Sequence, residues 1–356
     1  MKNLFAIILS CVLVLCVTAC SGGDTKSTEA TQTESVTVTD EMKAKMDGEL
    51  KKIDFEGIIC ITHNGEVVYE SVSGEDEKGN ALTLDSPMYI GSVSKQFCAT
   101  AIMMLKEQGK LSVDDTLEKY FPEFEYGKDV TIKNLLTMRS GIVEFSFADE
   151  VTDESSEEEI FDSMKKYVFS CELTFEPDSK HEYVNTNFIL LSDIVEQVSG
   201  KSYNDFIREN VFTPLEMTNS GFASEVEDSP YYSKHLTWDT LHDGRVEAVV
   251  ARGAGDIVTT APDMEKWMTG LCGGKLISKE SYEEMTANYS PDNNYEYGYA
   301  LQGAYGSGVS HAGRIGTYTA FDYINAEKGF NLFAVTNKVN TKIVNLPFAM
   351  LGDLMK

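Results

Sequence analysis

Positive charge is scarce in this sequence: 30 lysines and arginines stand against 57 aspartates and glutamates, a formal net charge of -27. A surface of that sign repels phosphate backbones and anionic headgroups, so nucleic acid is excluded as an expected partner. Histidine is scarce too. The five lie scattered with no HxH or HExxH spacing, so no metal site and no cofactor are indicated. The seven cysteines form no CxxC pair, and no internal repeat is visible. With 356 residues, 42% of them hydrophobic, the chain can fill one large core or two modest ones without disulfide staples.

One long apolar run exists, at the start. MKNLFAIILSCVLVLCVTAC (1–20) has one early positive charge, an apolar stretch too short to span a bilayer comfortably, and small residues before a cysteine, the layout of an export signal. VTAC (17–20) resembles a lipobox, so Cys20 is expected to be lipidated, anchoring the protein outside the cell membrane. An ordinary signal peptide or a retained membrane helix are the alternatives. Residues 21–40, rich in Ser, Thr and Gly, read as a disordered tether. Once Cys11, Cys16 and Cys20 are set aside, Cys60, Cys98, Cys171 and Cys272 are expected as buried free thiols.

The remainder, 41–356, reads as α/β at both ends (about 41–110 and 231–356) around an all-helical insert (about 111–230). KAKMDGELKKI predicts a helix, and GIICITHNGEVVYESVSG predicts a hairpin turning at Asn64-Gly65. Apolar residues Val93, Phe97, Ala101 and Leu105 then mark an interior helix that Gly109 closes. TIKNLLTMRSGI predicts a helix from a Thr cap to Gly141, and the acidic 149–169 stretch a solvated loop entering a helix. NTNFILLSDIVEQVSG and SYNDFIRENVFTPL continue the helical series. RVEAVVARGAGDIVTT reads as β-rich, APDMEKWMTGLCGG as a capped helix, FDYINAEKGFNLFAVTN as two strands, and LPFAMLGDLM as a last helix. The two ends must share one antiparallel sheet flanked by N- and C-terminal helices.

Chemistry concentrates in three short segments. In GSVSKQ, Lys95 lies one helical turn from Ser92, and a desolvated lysine can take a serine proton. The alternative is a plain helix cap, and SMKK repeats the spacing at Ser163 and Lys166 in a polar, acidic helix. HEYVNTN sets Tyr183 and Asn185 on a loop before a helix, one able to relay protons and the other to fix a carbonyl. Tyr323 and Asn325 repeat that pattern within a predicted hairpin. SHAGRIG puts His311 and Gly313 on one face of a strand, where glycine permits close backbone approach, and sends Arg314 to the other face. HNG at His63 and HDG at His242 read as turns.

From about Lys43 to its C-terminus the sequence resembles the penicillin-recognising serine hydrolases, most closely the class C β-lactamase-like branch with its DD-peptidases and esterases. The likeness is carried by GSVSKQF, LLTMRSGI, EYVNTNFILL, GAGDIVTTAPDMEKWM and SHAGRIG. It implies a β-lactamase/transpeptidase-like fold in which Ser92 is acylated, Lys95 and Tyr183 share proton transfer, and Asn185 holds the acyl amide. It also implies a cleft edge of His311, Ala312 and Gly313, with an oxyanion hole from the backbone N–H groups of Ser92 and Arg314. Lys-Thr-Gly, common at the third segment, is His-Ala-Gly here, which removes a charge and a hydroxyl and weighs against efficient β-lactam hydrolysis. LLTHTSG is replaced by LLTMRSG, and Asp178 stands where glycine is common.

The leading expectation is an exported serine hydrolase forming an acyl-enzyme on a peptide or ester, including cell-wall D-amino-acid peptides. A true β-lactamase or DD-carboxypeptidase is the enzymatic alternative, and a non-catalytic ligand-binding lipoprotein is the alternative of another class. Partners are then a small peptide, ester or β-lactam, with membrane contact through the lipid alone. Arg139, Arg245 and Arg252 are candidate carboxylate binders, with exposed salt bridging as the competing role. Oligomeric state is not legible.

Overall fold

The computed structural model describes residues 36–152, 154–225, 244–292 and 296–355. Cys20, the stretch read as an export signal, most of the stretch read as a tether, and His242 lie outside the described residues, as does the Arg245 side chain.

Helix α1 (Asp40–Lys52) is capped by the Thr39 hydroxyl, with acidic residues in its first turn and Lys51 and Lys52 in its last, matching the helix dipole. Val36 and Val38, at the end of the stretch read as tether, already pack against the core. Strands β1 (Gly57–His63) and β2 (Glu66–Ser73) form the expected hairpin, His63 facing Glu66 across Asn64-Gly65. Short strand β3 (Met88–Tyr89) leads to helix α2 (Ser94–Glu107), buried continuously from Ser94 to Leu105. A helix buried on every side belongs in the centre of the molecule.

The helical portion contains α3 (Ile132–Leu136), α4 (Glu157–Ser170), α5 (Thr186–Ser199) and α6 (Tyr203–Ile207), which continues as a π-helical turn through Phe212. Then come β4 (Gly221–Phe222), α7 (Gly244–Val250), β5 (Ile257–Thr259), α8 (Ala261–Cys272) and α9 (Lys279–Thr286). Strands β6 (Gln302–Gly303), β7 (Val309–Ile315), β8 (Tyr318–Asn325) and β9 (Phe330–Thr336) complete the set.

Three expectations need correction. Helix α3 stops at Leu136 rather than Gly141, because Met138 takes a left-handed φ of 58°. The valine-rich RVEAVV is helical, since α7 packs on α4 and buries Val246, Val249 and Val250; tertiary burial overrides β preference. The last stretch winds at Pro347–Leu351 as a π-helical turn.

The main sheet is antiparallel in the order β2-β1-β9-β8-β7-β6, so the first hairpin lies beside the last strands, as the sequence requires. A smaller antiparallel sheet, β3-β5-β4, meets it through β3, whose Tyr89 ring lies 5.2 Å from the Tyr318 ring of β8. Alternation along the strands serves two cores. Ile58, Cys60, Ala320, Phe333 and Val335 join the large cluster containing α2 and α8. Ile59, Ile61, Phe321, Leu332 and Ala334 meet α1 and the C-terminal turns. The sheet is therefore covered on both faces, which is why β1, β8 and β9 are buried throughout.

Candidate active site

The Ser92 segment is a 3-10 turn, Gly91–Val93, feeding directly into α2. In such tight winding, side chains three apart eclipse, and the Lys95 Nζ accordingly lies 3.0 Å from Ser92 Oγ. The same Nζ also donates to Asn185 Oδ1 at 2.8 Å and to the Ala254 carbonyl at 2.6 Å. Lys95 is fully buried while Ser92 remains partly open. Burial lowers the lysine pKa to about 7, against the opposing pull of the Glu144 and Asp256 carboxyl groups.

Tyr183 completes the cluster: its ring centroid is 5.0 Å from Lys95 Nζ and 6.1 Å from the His311 ring. The Tyr183–Asn185 loop is clamped by Met138, whose carbonyl accepts from Glu182 N and whose sulfur accepts from Val184 N and Asn187 Nδ2. That clamp is the reason for the unusual Met138 backbone. Asp178, where glycine is common, takes φ 65°, keeps the turn, and accepts from Asn134 Nδ2 at 2.8 Å.

Strand β7 abuts the Ser92 turn. A Cβ on Gly313 would stand 1.8 Å from the Ile90 carbonyl oxygen and 3.1 Å from Ser92 N. One on Gly91 would stand 2.7 Å from Arg314 N. The two backbones thus touch where the Ser92 and Arg314 amides lie. Behind them, Asp322 on β8 accepts from His311 N at 2.7 Å and Gln96 Nε2 at 2.9 Å, and Trp267 Nε1 donates to Gln96 Oε1 at 3.1 Å. This brace ties α2 and α8 to β7.

His311 is neutral. Burial, followed by the Lys95 charge, drops its pKa to about 3, and its Nδ1–H donates to the Ala312 carbonyl at 2.7 Å. Ala312 faces the outer core, and the Arg314 side chain is exposed. Thus Ser92, Lys95, Tyr183, Asn185, His311 and Gly313 converge, whereas Ala312 and Arg314 contribute backbone to that edge.

The repeated motifs lie elsewhere. Ser163 Oγ bonds the Asp149 backbone while Lys166 pairs with the Asp149 carboxylate. Tyr323 donates to the Tyr305 carbonyl and accepts from Asn325. Arg139 is held by Asp292 and the Asp178 carbonyl, and Arg252 by Glu196, so both salt-bridge, although both are largely buried rather than exposed. Cys60, Cys98, Cys171 and Cys272 are free thiols, the first two buried and the others half-buried.

Sequence reasoning missed Glu144, whose Oε2 accepts from Asn185 N at 2.7 Å. It lies two residues past LLTMRSGI, and no residue pattern marks it.

Fold and site together define a serine hydrolase of the penicillin-binding/β-lactamase fold. The chain belongs to the Beta-lactamase family, whose model matches residues 42–346. It is 31% identical over 312 residues to the Bacillus subtilis protein PbpX, named for penicillin binding, covering 85% of this chain and 75% of that one. Teichoic acid D-alanine hydrolase of Staphylococcus aureus is 26% identical over 268 residues, 72% of this chain and 65% of that one. In fold, D-amino acid amidase from Ochrobactrum anthropi SV3 superposes with a TM-score of 0.71 at 23% identity, covering 88% of this chain and 98% of that one.

Proposed function

We propose that this chain is an exported, Cys20-lipidated serine hydrolase that acts through an acyl-enzyme on D-amino-acid esters or peptides. One observation carries the catalytic part: a fully buried Lys95, with its pKa near 7, lies 3.0 Å from the Ser92 hydroxyl. Neutral Lys95 donates two hydrogens to Asn185 Oδ1 and Ala254 O, which aims its lone pair at Ser92.

Ser92 Oγ attacks the acyl carbonyl as its proton passes to Lys95 Nζ. The oxyanion meets the Ser92 and Arg314 N–H groups, donors of a kind worth about 3 kcal/mol each. Collapse breaks the bond to the leaving alcohol or amine, which takes a proton from the Lys95–Tyr183 pair. Water then attacks the Ser92 ester, gives its proton to the same pair, and frees the acid.

The named relatives support a D-aminoacyl donor: one hydrolyses teichoic acid D-alanine and another is a D-amino acid amidase. β-Lactam or DD-carboxypeptidase activity is disfavoured by the neutral His311, which supplies no charge for a substrate carboxylate.

Fluorophosphonate or fluorescent penicillin labelling, followed by intact mass, tests the reading. Label on the wild type and none on Ser92→Ala is expected; equal labelling of both would falsify it. Rates on nitrocefin, an acyl-D-Ala-D-Ala peptide and simple esters rank the substrates. For the anchor, labelling of expressing cells with a fatty-acid probe should depend on Cys20.

A further inference from the structure

Among the described residues, five large apolar side chains are exposed: Val67, Tyr305, Val339, Val344 and Phe348. Four of them gather on one part of the surface. Val339, Val344 and Phe348 lie along the stretch that follows β9, and the Tyr305 ring meets the Phe348 ring edge-on at 5.3 Å. Phe348 is the most open, at 68%. Single exposed apolar residues are ordinary, but a cluster of them marks a surface that meets something.

This stretch runs antiparallel to α1. Asn340 Nδ2 donates to the Ile53 carbonyl just past the helix end, and Lys45 pairs with Asp353 nearer its start. Val36 and Val38, just before α1, pack on the same cluster as Leu346, Met350 and Leu351. The described chain therefore enters on this face, and residues 21–35 alone separate it from Cys20. A connection of that length reaches at most about 50 Å and averages about 20 Å when flexible. A lipid on Cys20 thus holds this face, rather than the opposite one, toward the bilayer.

Charge agrees. Residues 36–56 and 337–356 carry seven lysines and seven aspartates or glutamates, so they are balanced in a chain of net charge -27. A balanced face can approach anionic headgroups that the rest of the surface repels. A second copy fits less well. Two such acidic chains repel, and four side chains fall far short of the roughly 800 Å² per partner that a stable dimer buries.

We infer that the ridge of Val339, Val344, Phe348 and Tyr305 docks into the headgroup boundary of the lipid bilayer, adding a protein contact to the anchor. This rests on the Cys20 lipidation proposed above. The ridge belongs to the layer covering one face of the main sheet, whereas the Ser92 turn and α2 pack on the other. A chain seated in this way turns its cleft away from the lipid.

The test uses the full chain, purified with its lipid and reconstituted in vesicles of phosphatidylethanolamine and phosphatidylglycerol. Phe348→Trp adds an emitter on the ridge, and Val67→Trp adds one on β2. Lipids brominated near the headgroup end of the acyl chains should remove most of the emission added at 348 and leave that added at 67 unchanged. Val344→Trp is the second ridge probe where circular dichroism shows Phe348→Trp misfolded. Unquenched emission from a folded ridge probe overturns the inference, as does equal quenching on the ridge and at 67. Intact mass reports the lipid separately. A chain without lipid on Cys20 means that the anchoring reading has failed and the seating falls with it, whereas lipid without ridge quenching keeps the anchor and removes the seating.

Discussion

Gly313 and Ile90 are neighbours too close for any side chain between them, since a Cβ at 313 would stand 1.8 Å from the Ile90 carbonyl oxygen. Either β7 or the 3-10 turn must retreat if that space is filled, and the turn carries Ser92. Gly313→Ala should therefore cut the acylation rate roughly 100-fold, since displacements of about 1 Å have that effect. Stopped-time labelling of Ser92, alongside circular dichroism to verify folding, measures it.

The pH profile should show Lys95. As base it must be neutral, and its pKa lies near 7. Acylation of a neutral ester should fall about tenfold per pH unit on the acid side of 7 and level off above it. Lys95→Ala should lower the plateau by roughly 10²–10⁴-fold. A flat profile between pH 5 and pH 8 would contradict the assigned role.

Asp178 holds a left-handed turn by virtue of its side chain. Asp178→Ala keeps the backbone penalty and loses the Asn134 bond, so about 1–2 kcal/mol of stability should go. Asp178→Gly relieves the backbone and should cost less. Denaturant midpoints of the two variants give the comparison.

Trp267→Phe tests the brace behind β7. The ring stacks on Phe97 at 3.6 Å, and phenylalanine preserves most of that stacking while leaving Gln96 Oε1 buried without its donor. About 1–3 kcal/mol of destabilisation is expected, readable by thermal unfolding.

Much of this architecture was readable because local chemistry and global fold agree. Asn64-Gly65 fixes the hairpin, the Thr131 and Ser156 caps begin their helices, and the apolar run after Ser92 becomes the central helix. The two SxxK copies differ in their surroundings, as the apolar flanks of one and the acidic flanks of the other indicate: Lys95 is buried whereas Lys166 is exposed. Other features depend on contacts between remote segments. RVEAVV favours strand by composition and becomes helix because α4 covers it. Glu144, Met138 and the Ala254 carbonyl are ordinary groups whose roles arise only when loops far apart in the chain meet at Lys95 and Asn185.

The pairing of β1 with β9 joins residues such as Ile58 and Val335. During synthesis, β1 must wait with the edge that β9 will cover unsatisfied and both its faces apolar until almost the whole polypeptide has emerged. Contacts so distant along the chain make for slow folding, and an exposed strand edge invites aggregation meanwhile. Fragments ending before residue 330 should accordingly be insoluble rather than smaller working versions of the enzyme.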